Sequence, residues 1–267
     1  MPGSAEIGVF GGSGFYEWLG QGETVSIETP FGSPSGPIAL GEVAGRRVAF
    51  LPRHGAHHRI PPHAVNYRAN VWAMRHLGVQ RIIGPSAVGS LKPDLHPGDL
   101  VIADQFFDRT SGRADTYYSG PEVVHVSAAE PYCPELRELA AQVAATQALR
   151  FQPSGTVVVV QGPRFSTRAE SHWFSRMGWD IVGMTQYPEV ILARELEMCY
   201  LNLSLITDYD VGVEGAPEVG AVQADDVMRV LAENINRVRD LLTALIPRIP
   251  TEPGCNCRRS LEGARVV

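Results

Sequence analysis

Short runs rich in valine and isoleucine alternate along the chain with longer stretches whose apolar residues recur at helical spacing. The runs predict strands over Glu6–Phe10, Ile38–Val43, Arg47–Leu51, Arg81–Ile83, Asp99–Ala103, Thr156–Gln161, Asp180–Gly183 and Leu201–Thr207. Val157–Val160 is apolar at every position, which suits a sheet covered on both faces. Between the runs, Val65, Ala69, Trp72, Ala73 and Leu77 share one helical face, and Gly78 follows as a stop signal. Pro134 sits at the first turn of a second helix whose buried stripe is Leu136, Leu139, Ala140, Val143 and Ala144. A third helix covers Ser166–Met177 and closes at Gly178. The longest covers Asp225–Ile246, with Val227, Leu231, Ile235, Val238, Leu242 and Leu245 on one face. This β/α alternation predicts an α/β fold: one domain over residues 1–250, with helices on both sides of a sheet. Beyond Pro250 the chain is polar and punctuated by Gly and Pro, so 251–267 is expected to be a mobile or loosely docked tail.

Composition narrows the function classes. The chain has 267 residues, 44% hydrophobic and 19% charged, a globular composition with ample length for a core. No apolar run approaches the ~20 residues that span a bilayer. Met1–Glu6 has no basic segment of the secretory kind, so the cytoplasm is the expected location. The net charge of -6 argues against nucleic acid as a main partner, because phosphate backbones need basic surfaces. It leaves room for a small anion held by a few arginines. Lys92 is the only lysine, and no Gly-Lys-Ser/Thr phosphate loop exists. Cys133 and Cys199 read as ordinary buried thiols. Cys255 and Cys257 form a C-x-C pair in the tail, with no second pair to complete a tetrahedral zinc site.

Six segments could carry chemistry. Gly11-Gly12-Ser13-Gly14 follows a strand, where amide N–H groups and the Ser13 hydroxyl can face an anion; an ordinary glycine turn explains it equally well. It does not meet the dinucleotide pattern, since Glu17 stands where the third glycine belongs. Arg53–His63 holds four of the eight histidines. Imidazoles at that spacing could ligate a metal, but Arg53, Arg59 and Arg68 surround them and no acidic residue lies between Arg46 and Asp94. An oxyanion fits better, because a guanidinium grips phosphate oxygens with paired bonds. Ser86–Ser90 repeats the pattern of small residues at a strand end. Gln161–Glu170 carries Phe165, which could stack on a flat ring or belong to the core. Gly183–Glu189 is the fifth segment. In the sixth, Thr207–Asp210, two carboxylates two residues apart on a strand share a face, which raises the proton affinity of one of them.

Taken together, these segments resemble the 5′-methylthioadenosine phosphorylases, within the trimeric purine nucleoside phosphorylase family. The resemblance runs from about Ile7 to Pro247 and rests on GGSG at Gly11–Gly14, TPFGSPS at Thr29–Ser35, and RHGAHHRIPPHAVNYRAN at Arg53–Asn70. It continues through AVGSL at Ala87–Leu91, PGDLV at Pro97–Val101, DQFFDRT at Asp104–Thr110 and AEPYCP at Ala129–Pro134. GPRFSTRAES at Gly162–Ser171 and TDYD at Thr207–Asp210 complete it. It implies a nucleoside phosphorylase-like fold with a mixed central β-sheet. The implied reaction is reversible phosphorolysis of 5′-methylthioadenosine to adenine and 5-methylthioribose 1-phosphate, in purine and methionine salvage. Inorganic phosphate is the co-substrate, with neither metal nor organic cofactor.

By the same resemblance, Ser13, Arg53, His54, Ser86, Ala87 and Thr185 would hold phosphate, and Met184 would contact the ribose. Phe165 and Ser166 would line the base pocket, Asp208 would bond the purine near N7, and Asp210 would support the adenine edge. Ala224 stands where specificity is set, and His125 would come from a neighbouring subunit of a homotrimer. The alternative is a broader purine nucleoside phosphorylase acting on adenosine or 6-oxopurine nucleosides. Ser13 and Ser86 stand where threonine is common, and Gly215–Gly220 looks like an insertion that reshapes the 5′ region. The C-x-C pair resembles a feature of heat-adapted relatives, where it forms a disulfide; free thiols are the expectation in a reducing compartment.

Overall fold

The computed structural model describes residues 3–11, 19, 22–147, 149–211, 213–216 and 221–266. Its strands are β1 (Ile7–Gly11), β2 (Glu23–Val25), β3 (Ile38–Val43), β4 (Arg46–Pro52), β5 (Arg81–Ser90), β6 (Leu100–Val101), β7 (Gln105–Arg109), β8 (Val123–Val124), β9 (Phe151–Gln152), β10 (Thr156–Val160), β11 (Ile181–Gly183), β12 (Cys199–Tyr209) and β13 (Arg265–Val266). The α-helices are α1 (Tyr67–His76), α2 (Pro134–Thr146), α3 (Arg168–Arg176), α4 (Gln186–Glu195) and α5 (Ala224–Leu245). Eleven strands join in one sheet along the order β2-β3-β4-β1-β5-β11-β10-β7, with β12, β6 and β9 branching from β5. The sheet is mixed. β4, β1, β5 and β12 run parallel, whereas β11 meets β5 antiparallel through Ile181–Ser90 and Val182–Gly89.

Alternation along the strands sorts the helices onto two faces. Phe10, Ile82, Tyr200 and Ile206 join Val71 and Met74 of α1 and Val190 and Leu192 of α4 in one core. Ile7, Val9, Ile83, Leu201, Leu203 and Leu205 point the other way, against Leu136, Ala140 and Val143 of α2 and Leu241, Leu242 and Leu245 of α5. A smaller cluster seats Phe174 of α3 on Leu91, Val158 and Val182. The expected layering of helices on both sides of a sheet is therefore present.

Several elements differ from the sequence reading, and β2, β7, β8, β9 and β13 had no counterpart in it. The strand expected over Arg81–Ile83 extends to Ser90, so the glycine- and serine-rich segment is the second half of β5 rather than a segment beyond its end. The strand expected over Asp99–Ala103 pairs only through Leu100 and Val101. Helix α4 had no counterpart; Pro188 stands in its first turn, where proline is tolerated, and Tyr187 before it is non-helical. The apolar stripe of α5 is buried from Val238 onward, whereas Val227 and Leu231 stay only partly buried because they face a cavity.

The C-terminal segment is docked rather than loose. Cys257 is buried, the Ser260 hydroxyl donates to the Arg194 carbonyl at 2.6 Å, and β13 pairs with β8. Among the described residues, no helix is long and apolar enough to cross a membrane.

Candidate active site

A cavity of about 480 Å³ opens where β5, β11 and β12 and the segment after β4 converge beside the start of α5. Eleven of the thirteen residues singled out in the sequence line it: Arg53, His54, Ser86, Ala87, Phe165, Ser166, Met184, Thr185, Asp208, Asp210 and Ala224. Ser13 lies outside the described residues. His125 is exposed and does not line this chain's cavity; its backbone N–H donates to the Ala264 carbonyl at 2.8 Å.

Arg53 leaves β4 into the sheet interior and is 2% exposed. Its Nε and Nη2 donate to the two carboxylate oxygens of Glu189 at 2.5 and 3.0 Å, and Nη1 donates to the Pro85 carbonyl at 3.0 Å. Burial opposes the charge, but the Glu189 carboxylate more than offsets it, and the guanidinium is held above its ordinary range. A guanidinium has five N–H donors. The three bonds to Glu189 and Pro85 leave two N–H groups for a ligand, on an arm that a bidentate pair keeps rigid. Tyr200 adds a 2.6 Å bond to Glu189. The Tyr200 hydroxyl reaches past Gly84, where a Cβ would stand 2.4 Å from it. Glu189 is the positioning residue the sequence reading passed over, since its partner Arg53 lies 136 residues away.

The cavity-lining His54 is neutral. Burial, and then the Arg53 charge, push it down to about 3. Its Nδ1 lies 2.8 Å from the Ile60 carbonyl, which can only accept, so Nδ1 carries the proton and Nε2 keeps a lone pair. His58 stacks on it with centroids 4.2 Å apart. His57 and His58 both adopt positive φ, at 57° and 56°, a conformation costly for histidine, and His58 lines the cavity.

A buried polar chain sets Ser86. Tyr132 donates to Gln186, Gln186 Nε2 to Ser204 Oγ at 3.1 Å, and Ser204 Oγ to Asn202 Oδ1 at 2.6 Å. Asn202 Nδ2 then donates to Ser86 Oγ at 3.0 Å. The Ser86 oxygen is thereby an acceptor on its protein side; because the Ser204 proton goes to Asn202, the Ser86 O–H donates to Ser204 Oγ at 3.3 Å, a long bond that a ligand can replace. Thr185, at the start of α4, makes no capping bond to that helix.

At the end of β12, a register shift between Ile206 and Asp208 accompanies the carboxylates into the cavity. Gly89 makes room: a Cβ there would stand 3.0 Å from Asp208 Oδ1 and 3.5 Å from Asp210 Cβ. Burial raises Asp208 above the usual carboxylate range, against a 2.8 Å bond from the Thr207 hydroxyl. Burial also raises Asp210, to about 6; Ser171 and Ser166 oppose the rise and the Asp208 charge adds to it. Asp210 Oδ2 is nevertheless buried without a formed hydrogen bond. The shared-face reading of the two aspartates therefore holds, but burial outweighs their mutual repulsion. Phe165 is 37% exposed and lines the cavity, so it is not a core residue.

Residues 6–247 match the Phosphorylase superfamily. The chain belongs to that superfamily. It is 52% identical to the S-methyl-5′-thioadenosine phosphorylase of Thermofilum pendens, over 98% of each chain. It is 50% identical to the purine nucleoside phosphorylase of Streptomyces coelicolor, over 97% of this chain and 95% of that one. The solved methylthioadenosine phosphorylase of Schistosoma mansoni, in complex with adenine, superposes with a TM-score of 0.88 at 36% identity, covering 97% of this chain and 96% of that one. In this member of the superfamily, the structure brings the Arg53, Ser86 and Asp208 segments to one cavity.

The histidine-rich segment does not form a metal-binding group. Among the described residues, the group that could hold a metal ion is Cys133, Cys199, Cys255 and Cys257, all of which lie outside the cavity. The sequence reading missed it because its cysteines come from three separate parts of the chain, and Cys199 stands 56 residues before Cys255.

Proposed function

We propose that the chain catalyses phosphorolysis of 5′-methylthioadenosine, releasing adenine and 5-methylthioribose 1-phosphate. The observation that carries this reading is one cavity holding both a rigid buried guanidinium and two carboxyl groups of raised proton affinity. Arg53 lies beside Gly84 and Asp208 beside Gly89, so β5 connects them over five residues, roughly 16 Å at ~3.3 Å per residue. Ser86 and Ala87 fall between. That span accommodates an anion and a nucleoside in line.

Phosphate is held by Arg53, Ser86, Ala87 and Thr185, with Ser13 completing the cradle and His54 accepting from a phosphate hydroxyl. Fixing phosphate beneath C1′ removes much of the entropic barrier, up to ~7–11 kcal/mol for ideal alignment. Its oxygen forms the new bond to C1′ as the C1′–N9 bond breaks and the electron pair passes to the purine. Asp208, whose proton affinity is raised by burial, donates to N7 and neutralises the charge that develops there. Asp210 supports the adenine edge, Phe165 stacks on the ring with Ser166 beside it, and Met184 packs on the ribose. Ala224 and the apolar side chains of Val227 and Leu231 suit a methylthio group better than a hydroxyl. The reaction as proposed needs no cofactor. His125 reaches the 5′ region of a neighbouring subunit in a homotrimer, a reading supported by its exposure on this chain. The cytoplasm is the proposed location.

A broader purine nucleoside phosphorylase is the second reading, favoured by the Streptomyces coelicolor relative at nearly the same identity. Incubation with 5′-methylthioadenosine, adenosine and inosine, each with and without phosphate, separates the two. Phosphate-dependent adenine release, fastest from 5′-methylthioadenosine, is expected. Base release without phosphate overturns both readings, and a preference for inosine selects the second.

A further inference from the structure

We propose that Cys133, Cys199, Cys255 and Cys257 form a tetrathiolate zinc site that clamps the C-terminal segment to the sheet. The four sulfurs come from three distant parts of the chain: the residue before α2, the first residue of β12, and the C-x-C pair. All four lie within 4.8 Å of one another, and Cys199 Sγ stands 3.4 Å from Cys255 Sγ. A tetrahedral zinc ion with Zn–S bonds of about 2.3 Å places its sulfurs about 3.8 Å apart. The cluster is therefore collected at the spacing of a metal tetrahedron, and all four cysteines are free thiols. Sulfur-only tetrahedral sites select zinc or iron over the harder divalent cations.

The surroundings suit a buried group of negative charge. Four thiolates around Zn²⁺ carry a net charge of −2. The Arg81 guanidinium is buried beside them, and its Nη1 lies 3.8 Å from Cys199 Sγ, in reach of an N–H···S bond. Arg81 also donates to Glu135 Oε2 at 2.6 Å and to the Pro250 carbonyl at 2.9 Å. Glu135 in turn accepts from the Gly254 backbone N–H at 2.8 Å. One Arg–Glu pair thus orients the strand ligand and the loop that delivers the two tail ligands. Cys133 stands at the N-terminus of α2, where the helix dipole favours a thiolate, and its own backbone N–H donates to Tyr200 at 2.9 Å. Metal uptake replaces four S–H bonds with four Zn–S bonds and releases four protons, with no change of oxidation state.

The clamp explains why a polar, glycine-containing tail is docked. Beyond the cysteines, the tail continues to β13, whose partner β8 adjoins His125. Closing residues 199 to 255 through a metal removes loop entropy from the unfolded chain.

The test uses the full chain, purified with reductant and without chelator. Metal analysis is expected to give one zinc per chain, and the Cys255→Ser/Cys257→Ser variant none. After chelation, anaerobic Co²⁺ titration is expected to give the intense visible bands of tetrahedral thiolate cobalt, saturating at one per chain, and the variant no such bands. Limited proteolysis is expected to cut the chelated protein within 251–267 at least tenfold faster than the zinc form. Iron in place of zinc, or four titratable thiols with no metal uptake, overturns the proposal. So does an intact mass four hydrogens lower, the mark of two disulfides.

Discussion

Strand β12 starts among four cysteines and finishes at two aspartates; one buried arginine–glutamate pair stands beside the cysteines, and a second lines the far end of the cavity that the aspartates enter. Beside Cys199, Arg81 makes three bonds, to Glu135, the Pro250 carbonyl and the sulfur, and none of these groups lines the cavity. Around the cavity the same ingredients are left incomplete. Arg53, like Arg81, spends three of its five N–H donors on the protein, but it lines the cavity, where the other two can meet a ligand. Asp210 Oδ2 has no formed bond, and both aspartates sit above their ordinary range. Residue types do not separate the two regions; unspent hydrogen-bonding capacity facing a cavity does. The fold carries this cost where a ligand is to complete it.

The comparison breaks most visibly at Asp208. Asp208→Asn is expected to lower turnover about 10²–10⁴-fold, the usual range for a lost general acid, with the far-UV spectrum unchanged. Retained turnover would remove the acid from the account. Next come the two ion pairs. Glu189→Ala leaves the Arg53 charge buried and uncompensated, and a loss of about 3–5 kcal/mol in urea unfolding is expected. Glu135 is part-exposed, and Arg81 keeps the Pro250 carbonyl, so Glu135→Ala should cost about 1–3 kcal/mol. Equal losses would erase the distinction between the regions.

Asp210 gives a third test through pH. Its value in the fold is about 6 against an ordinary 3.8, so the folded state binds the proton more tightly than the unfolded chain. Ionisation then costs stability as pH rises from about 4 through 6, and the full cost persists above 6. Asp210→Asn is expected to stabilise the protein by about 2–3 kcal/mol at pH 8 and by almost nothing at pH 4 while slowing the reaction. A gain equal at both pH values would show that the carboxyl is not strained in the fold. The smallest effect is expected from Arg53→Lys, which loses the paired geometry but keeps the charge. The KM for phosphate should rise about tenfold, near 1.4 kcal/mol, with the nucleoside KM nearly unchanged. A parallel rise in both would argue that Arg53 serves the fold alone.

Strands with continuous apolar runs, such as Val157–Val160, were legible because burial on both faces leaves no polar position to confuse the period. The carboxylates at Asp208 and Asp210 were legible because two-residue spacing on a strand fixes a shared face. Helix α4 was not, since Pro188 interrupts its first turn and tertiary packing supplies what local propensity lacks. Glu189 was missed because a buried acid announces itself only through its partner, and Arg53 lies 136 residues away. The cysteine cluster was missed for the same reason. Contacts of that kind belong to topology, and no local pattern carries them.

The account rests on phosphate and purine occupying opposite ends of one cavity, and a crystal of the protein grown with sulfate and 5′-methylthioadenosine tests it most directly. The predicted result is sulfate within hydrogen-bond distance of Arg53 and Ser86, with purine N7 facing the Asp208 carboxyl at about 3 Å. Sulfate remote from Arg53, or a purine ring that never approaches Asp208, would contradict it.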